Sequence, residues 1–165
     1  MPVLKKQKTF TLERTYGAAP AAVWRAWTEP DLLARWWGPE KTLVPECRVD
    51  CRVGGEIAIV MEAGPGMGKY AGTRWPMVGT FTEVDEPRRL VWSAESWTDG
   101  TREDTLIEHV NTVTMTEQDG GTHVRLDVVI SSIGPKARMA AFGMKWGYKS
   151  QLGRLEDVLA PAAAG

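Results

Sequence analysis

The chain has 165 residues, 43% apolar and 25% charged, which suits one globular domain and excludes a chain dominated by disorder. Its 20 basic and 21 acidic residues leave a formal net charge of −1, which excludes the broad positive surface that nucleic acid or an acidic membrane demands. Eight Trp stand against three Phe and three Tyr, and the indole's large apolar body suits both core packing and ligand walls.

Met1 to Lys8 carries three lysines but no apolar run follows, so no export signal is expected. No stretch approaches the ~20 apolar residues of a membrane span. Residues 8–16 alternate, with Phe10, Leu12 and Tyr16 opposite Thr9, Thr11, Glu13 and Thr15, which predicts a first strand. Pro20 opens a helix in which Val23, Trp24 and Trp27 recur at helical spacing. A second short helix follows over 29–37, with Leu32, Leu33, Trp36 and Trp37 on its apolar side, and Gly38-Pro39 ends it.

A strand over 44–53 comes next, in which Cys47, Val49, Cys51 and Val53 share one face. Four residues of strand span ~13 Å, beyond the ~4.4–6.8 Å Cα separation of a disulfide. Both cysteines are therefore expected as buried free thiols in a reducing compartment, the cytoplasm. With two His and no Cys/His cluster at zinc spacing, neither a metal nor another cofactor is expected. Gly54-Gly55 turns the chain into a strand over 56–62, where Ile57, Ile59 and Met61 alternate. Gly64-Pro-Gly-Met-Gly68 lacks the Gly-Lys-Ser/Thr ending of a phosphate loop and reads as a flexible hairpin loop.

Further strands are predicted over 74–84, 88–98, 106–117 and 121–131, separated by turns at Asp85–Pro87, Thr98–Gly100 and Asp119–Gly121. After Gly134-Pro135 one long helix runs to Leu159, and Ala162–Gly165 are expected to fray. The fold class is α+β, a single domain over 8–159: a strand, two short helices, six antiparallel strands and a long C-terminal helix across the sheet. The helix's core stripe is Ala137, Ala141, Met144, Tyr148, Leu152, Leu155 and Leu159. On the sheet, Val124, Leu126, Val128 and Ile130 face inward, and so do His109, Asn111, Val113 and Met115. Met61, Trp75, Met77 and Trp92 complete that apolar wall.

The run Trp27-Thr-Glu-Pro-Asp-Leu-Leu-Ala-Arg-Trp-Trp37-Gly-Pro39, the Val53-Gly-Gly55 turn, Met77-Val-Gly79, Pro87-Arg-Arg-Leu90 and Gly147-Tyr-Lys-Ser-Gln-Leu152-Gly-Arg-Leu155 together resemble a known family. It is the bacterial branch of the activators of heat-shock-protein-90 ATPase, in the START-like (helix-grip) superfamily, and the resemblance covers about residues 8–159. One departure is Tyr148, where the family usually has Trp. The resemblance implies a helix-grip fold whose sheet and long helix enclose a deep cavity. Superfamily members bind apolar molecules there, some catalyse cyclisation or dehydration, and others act as chaperone cofactors. Fold alone does not select among these.

The expected ligand-binding residues are Trp37, Met61, Trp75, Met77, Trp92, His109, Asn111, Val113, Met144 and Tyr148, and the expected partner is a small, largely apolar, aromatic molecule. Trp24 and Trp27 follow an amphipathic pattern that staples the short helices to the sheet, while at least one of Trp36 and Trp37 borders the cavity. A lone inward His is ordinarily a hydrogen-bonded core residue. Asn111 on the same side and Tyr148 on the covering helix give His109 a possible polar role, with an unperturbed imidazole pKa of about 6.5 that suits acid/base work. The competing readings are a cofactor-free cyclase, dehydratase or hydrolase using His109 and Asn111, and a protein-interaction module. Met139, Phe142 and Trp146 gather on the back of the long helix. Either the short helices cover them or a second copy does, in a homodimer.

Overall fold

The computed structural model describes residues 8–159. β1 (Lys8–Tyr16) is followed by α1 (Pro20–Thr28) and α2 (Pro30–Trp36). Glu29 separates the two helices: it precedes a proline, which favours extended backbone, and it adopts φ −88° and ψ 121°. Its N–H closes α1 on the Arg25 carbonyl at 2.8 Å, and the next residue begins α2. The chain then runs through β2 (Thr42–Val49), β3 (Glu56–Ala63), a 3₁₀ segment (Pro65–Tyr70), β4 (Arg74–Asp85) and β5 (Arg89–Ser96). A short helix, α3 (Arg102–Thr105), leads to β6 (Ile107–Gln118), β7 (Gly121–Ile133) and the long α4 (Arg138–Leu159). Among the described residues no helix is long and apolar enough to cross a membrane.

The seven strands form one antiparallel sheet in the order β1-β7-β6-β5-β4-β3-β2. From β1 the chain crosses by α1 and α2 to the far edge, then returns hairpin by hairpin until β7 lies beside β1. This is the expected helix-grip architecture, curved around α4. The predicted faces hold: Val113, Val124, Leu126 and Val128 are fully buried, and Trp92 joins them. The Tyr16 hydroxyl donates to the Leu152 carbonyl at 2.7 Å and pins the C-terminal half of α4 to β1. Trp27 and Trp36 meet edge-on at 4.6 Å between ring centroids, and Trp36 Nε1 donates to the Ala26 carbonyl at 3.0 Å. Trp24 and Trp27 are core, as their spacing predicts.

Four local expectations need correction. β2 ends at Val49, because Asp50 and Arg52 start a turn: the Arg52 N–H donates to the Asp50 carbonyl at 2.8 Å, as does Gly55 to Arg52. Val53 is therefore 64% exposed and Cys51 lies outside the strand; Cys47 and Cys51 are free but only half-buried. Burial still pushes the Cys47 thiol up to about 11. The 64–68 loop is wound into the 3₁₀ segment. The connection after β5 holds α3, too short for periodicity to reveal. Strand β7 runs two residues beyond its expected end, because a bulge sets Ser131 outside the pairing between His109↔Ile130 and Glu108↔Ser132. The expected fraying of Ala162–Gly165 lies outside the described residues.

Candidate ligand-binding cavity

The glycine turn that ends α2 positions the first wall. Gly38 has φ +88°, and a Cβ there would meet Thr42 Oγ1 at 2.5 Å and Met61 Sδ at 2.8 Å. Only glycine fits that conformation and space. Two side chains of α4 hold the turn from the other side. Gln151 Oε1 accepts the Gly38 N–H at 3.0 Å. Arg154 Nη1 donates toward the carbonyls of Trp37, Gly38 and Pro39 at 3.2, 2.8 and 3.0 Å, and toward Thr42 Oγ1 at 3.2 Å. Its Nη2 also reaches the Arg35 carbonyl in the last turn of α2 at 3.3 Å, where the helix dipole favours a cation. Thus the Trp36-Trp37-Gly38-Pro39 and Leu152-Gly-Arg-Leu155 runs meet in space.

Trp37, fixed by this clamp, meets Tyr148 edge-on at 5.8 Å and Trp92 at 6.4 Å. Above it, between the sheet and the N-terminal half of α4, lies a cavity of about 300 Å³. Six of the ten expected residues line it: Trp37, Met61, Trp75, Met77, Met144 and Tyr148. Trp92, His109, Asn111 and Val113 do not; they lie beneath the wall, no more than 2% exposed. The lining also includes Met67 from the 3₁₀ segment, Ser96 at the end of β5 and Trp97 after it, Thr105 of α3, and Met139 and Gln151 of α4. These escaped the sequence because they sit at element ends or in short connections, where alternation stops. Met139 serves a second surface too: it is 86% exposed at the cavity mouth. Among the described residues no charged side chain lines the cavity.

Four polar side chains form a series behind the wall, with Tyr148, Asn111 and His109 buried and Ser96 partly exposed. The Tyr148 hydroxyl donates to Asn111 Oδ1 at 3.0 Å. Asn111 Nδ2 lies 3.0 Å and Oδ1 3.2 Å from His109 Nδ1. His109 Nε2 lies 2.9 Å from Ser96 Oγ. Both ends of the series, Ser96 and Tyr148, belong to the cavity lining. Burial lowers the imidazole to about 4, so His109 is neutral near pH 7. Burial raises Tyr148 far above its ordinary range, which keeps its proton in place. Gln151, 3% exposed, has an amide nitrogen with no partner among the described residues.

The apolar strip on the back of α4 is open. Met139, Phe142 and Trp146 are 86, 85 and 76% exposed, so α1 and α2 do not cover it. Those helices sit at the other half of α4, where Arg154 and Gln151 reach them.

Solved structures share this fold across almost the whole chain. One is a protein from Nitrosomonas europaea, 26% identical over 92% of this chain and 93% of that one, with a TM-score of 0.70. Another, from Mycobacterium smegmatis, is 22% identical over 98% and 99% with a TM-score of 0.74. A third, from Chromobacterium violaceum, is 22% identical over 93% and 98% with a TM-score of 0.73. No curated protein matches the chain. Residues 17–160 match the family described as Activator of Hsp90 ATPase homolog 1-like protein, and that span includes both halves of the clamp. The chain belongs to that family.

Proposed function

We propose that the protein binds a small, largely apolar, aromatic molecule in the cavity between the sheet and α4. The observation that carries this reading is the cavity itself: about 300 Å³, walled by Trp, Met and Tyr side chains, with a few polar atoms at fixed points. That volume is at the small end of ligand sites, which run from about 300 to 1,000 Å³, and suits one or two fused rings better than a lipid chain. The methionines add polarizable walls that adapt to flat ligands. Titration with the neutral dye N-phenyl-1-naphthylamine tests it. Binding raises dye emission and quenches Trp fluorescence; no change in either at saturation rejects the reading. Native mass spectrometry of freshly purified protein then asks which molecule co-purifies.

A second reading, a cofactor-free cyclase, dehydratase or hydrolase, rests on the contact between Ser96 and His109. His109 would be its acid/base, reaching the cavity through Ser96, with Asn111 orienting it. A base there needs an unprotonated Nε2 and must work with an imidazole lowered to about 4, which favours binding over catalysis. The free thiols agree with a cytoplasmic setting. We infer further that the open strip of α4 meets a second copy of the chain.

A further inference from the structure

The reading of the cavity as a ligand site leaves open what its polar points select, and the series behind its wall answers that. Start from the proton on Tyr148. Its hydroxyl has one acceptor within reach, Asn111 Oδ1 at 3.0 Å, and a buried O–H without an acceptor is costly. That contact identifies the amide atom beside Tyr148 as Oδ1. Both amide atoms lie near His109 Nδ1, Nδ2 at 3.0 Å and Oδ1 at 3.2 Å; with Oδ1 already taking the Tyr148 proton, we assign the nearer Nδ2–H as donor to an accepting Nδ1. A neutral imidazole carries one proton, so that proton sits on Nε2 and is donated to Ser96 Oγ at 2.9 Å. Ser96 Oγ is occupied as an acceptor, and its own O–H is left to turn into the cavity.

The other wall hydroxyls are committed. Thr42 donates to the Pro39 carbonyl, Thr98 to that of Arg74, and Thr105 to that of Thr98 or Thr101. Gln151 spends its oxygen on Gly38 and has a partnerless N–H group in the same wall. The wall hydroxyl whose proton is left without a partner is therefore that of Ser96, and among the described residues no lining charge is there to neutralise an ion. Resting on the ligand-binding reading, we propose that Ser96 presents a hydrogen-bond donor to the cavity, held that way by Tyr148 through Asn111 and His109. The cavity thereby selects a neutral aromatic carbonyl compound over its hydrocarbon analogue. Tyr148 is a positioning residue here; it acts on the ligand's oxygen through three other side chains.

The test pairs 2-acetylnaphthalene with 2-isopropenylnaphthalene, equal in shape but without the oxygen, and reads the His109 tautomer by ¹⁵N NMR. Wild-type protein should show His109 protonated on Nε2. Ser96→Ala should weaken the ketone about tenfold relative to the alkene, the worth of one hydrogen bond. Tyr148→Phe should also lower the ketone preference without altering Ser96, and His109 should move toward the Nδ1-protonated form as Asn111 becomes free to turn. The charged 2-naphthoate should bind weakest. A wild-type His109 protonated on Nδ1 overturns the inference alone, as does an unchanged ketone-to-alkene ratio in Ser96→Ala. Failure of wild type to bind either neutral probe overturns the ligand-binding reading, and this inference with it.

Discussion

At the scale of single residues, His109 is the group whose burial has the clearest consequence. It is held neutral with its imidazole lowered to about 4, whereas an unfolded chain protonates it at about 6.5. Between those values the unfolded state binds the extra proton, so stability falls as pH drops from about 6.5 to 4 and stops changing for this group below that. The loss amounts to about 3 kcal/mol over the window. Urea midpoints for wild type and His109→Gln at pH 7.5 and 4.5 measure it, and the variant should lose most of the difference. An equal pH dependence in both proteins would mean that His109 is not buried neutral. Asn111→Leu differs in kind, since it strands both the Tyr148 hydroxyl and the imidazole. We expect a loss of roughly 1–3 kcal/mol at neutral pH, read from the same urea curves. If Asn111→Leu loses stability but keeps the wild-type preference for 2-acetylnaphthalene over 2-isopropenylnaphthalene, the polar series is structural only.

At the scale of elements, α4 has two unlike halves. Its C-terminal half is clamped to β1 and α2 by Tyr16, Gln151 and Arg154. Arg154→Met removes the guanidinium from the end of α2 and should cost about 1–2 kcal/mol, with faster amide exchange around Gly38, given that the pair is only partly buried. The N-terminal half stands over the cavity, and Gly143 and Gly147 face it with nothing within 4 Å of where a Cβ would be. Glycine weakens a helix interior, so Gly143→Ala and Gly147→Ala should each raise stability by roughly 0.5–1 kcal/mol. The same methyls would shrink the cavity, so affinity for N-phenyl-1-naphthylamine should fall as the melting temperature rises. Stabilisation with unchanged affinity would place the ligand elsewhere. The α4 stripe was legible because Tyr148, Leu152 and Leu155 repeat at helical spacing. Gln151 was not: a glutamine beside such a stripe reads as solvent-facing until the Gly38 turn, 113 residues away, closes over it.

For the whole molecule, the sheet was legible because each strand has one buried face, and long alternating runs fix which face that is. Even Trp75 and Trp92 followed the period. What local pattern cannot supply is which connections return to the sheet's open end, so Trp97, Ser96 and α3 became visible as cavity wall only in three dimensions. The strip on α4 belongs to the same scale. Met139, Phe142 and Trp146 are too large and too closely grouped for scattered surface exposure, and the short helices leave them open. Burying each against a second copy would contribute about 1.5–3 kcal/mol per side chain, repeated by symmetry on the partner. We therefore expect a dimer by light scattering at tens of micromolar. Phe142→Glu/Trp146→Glu should be monomeric with an unchanged melting curve, since the two side chains are 85 and 76% exposed and support nothing inside the fold. A monomeric wild type would reject the second copy as the strip's occupant and turn attention to another protein. Unfolding of the double variant would instead mean that the strip packs inside its own chain.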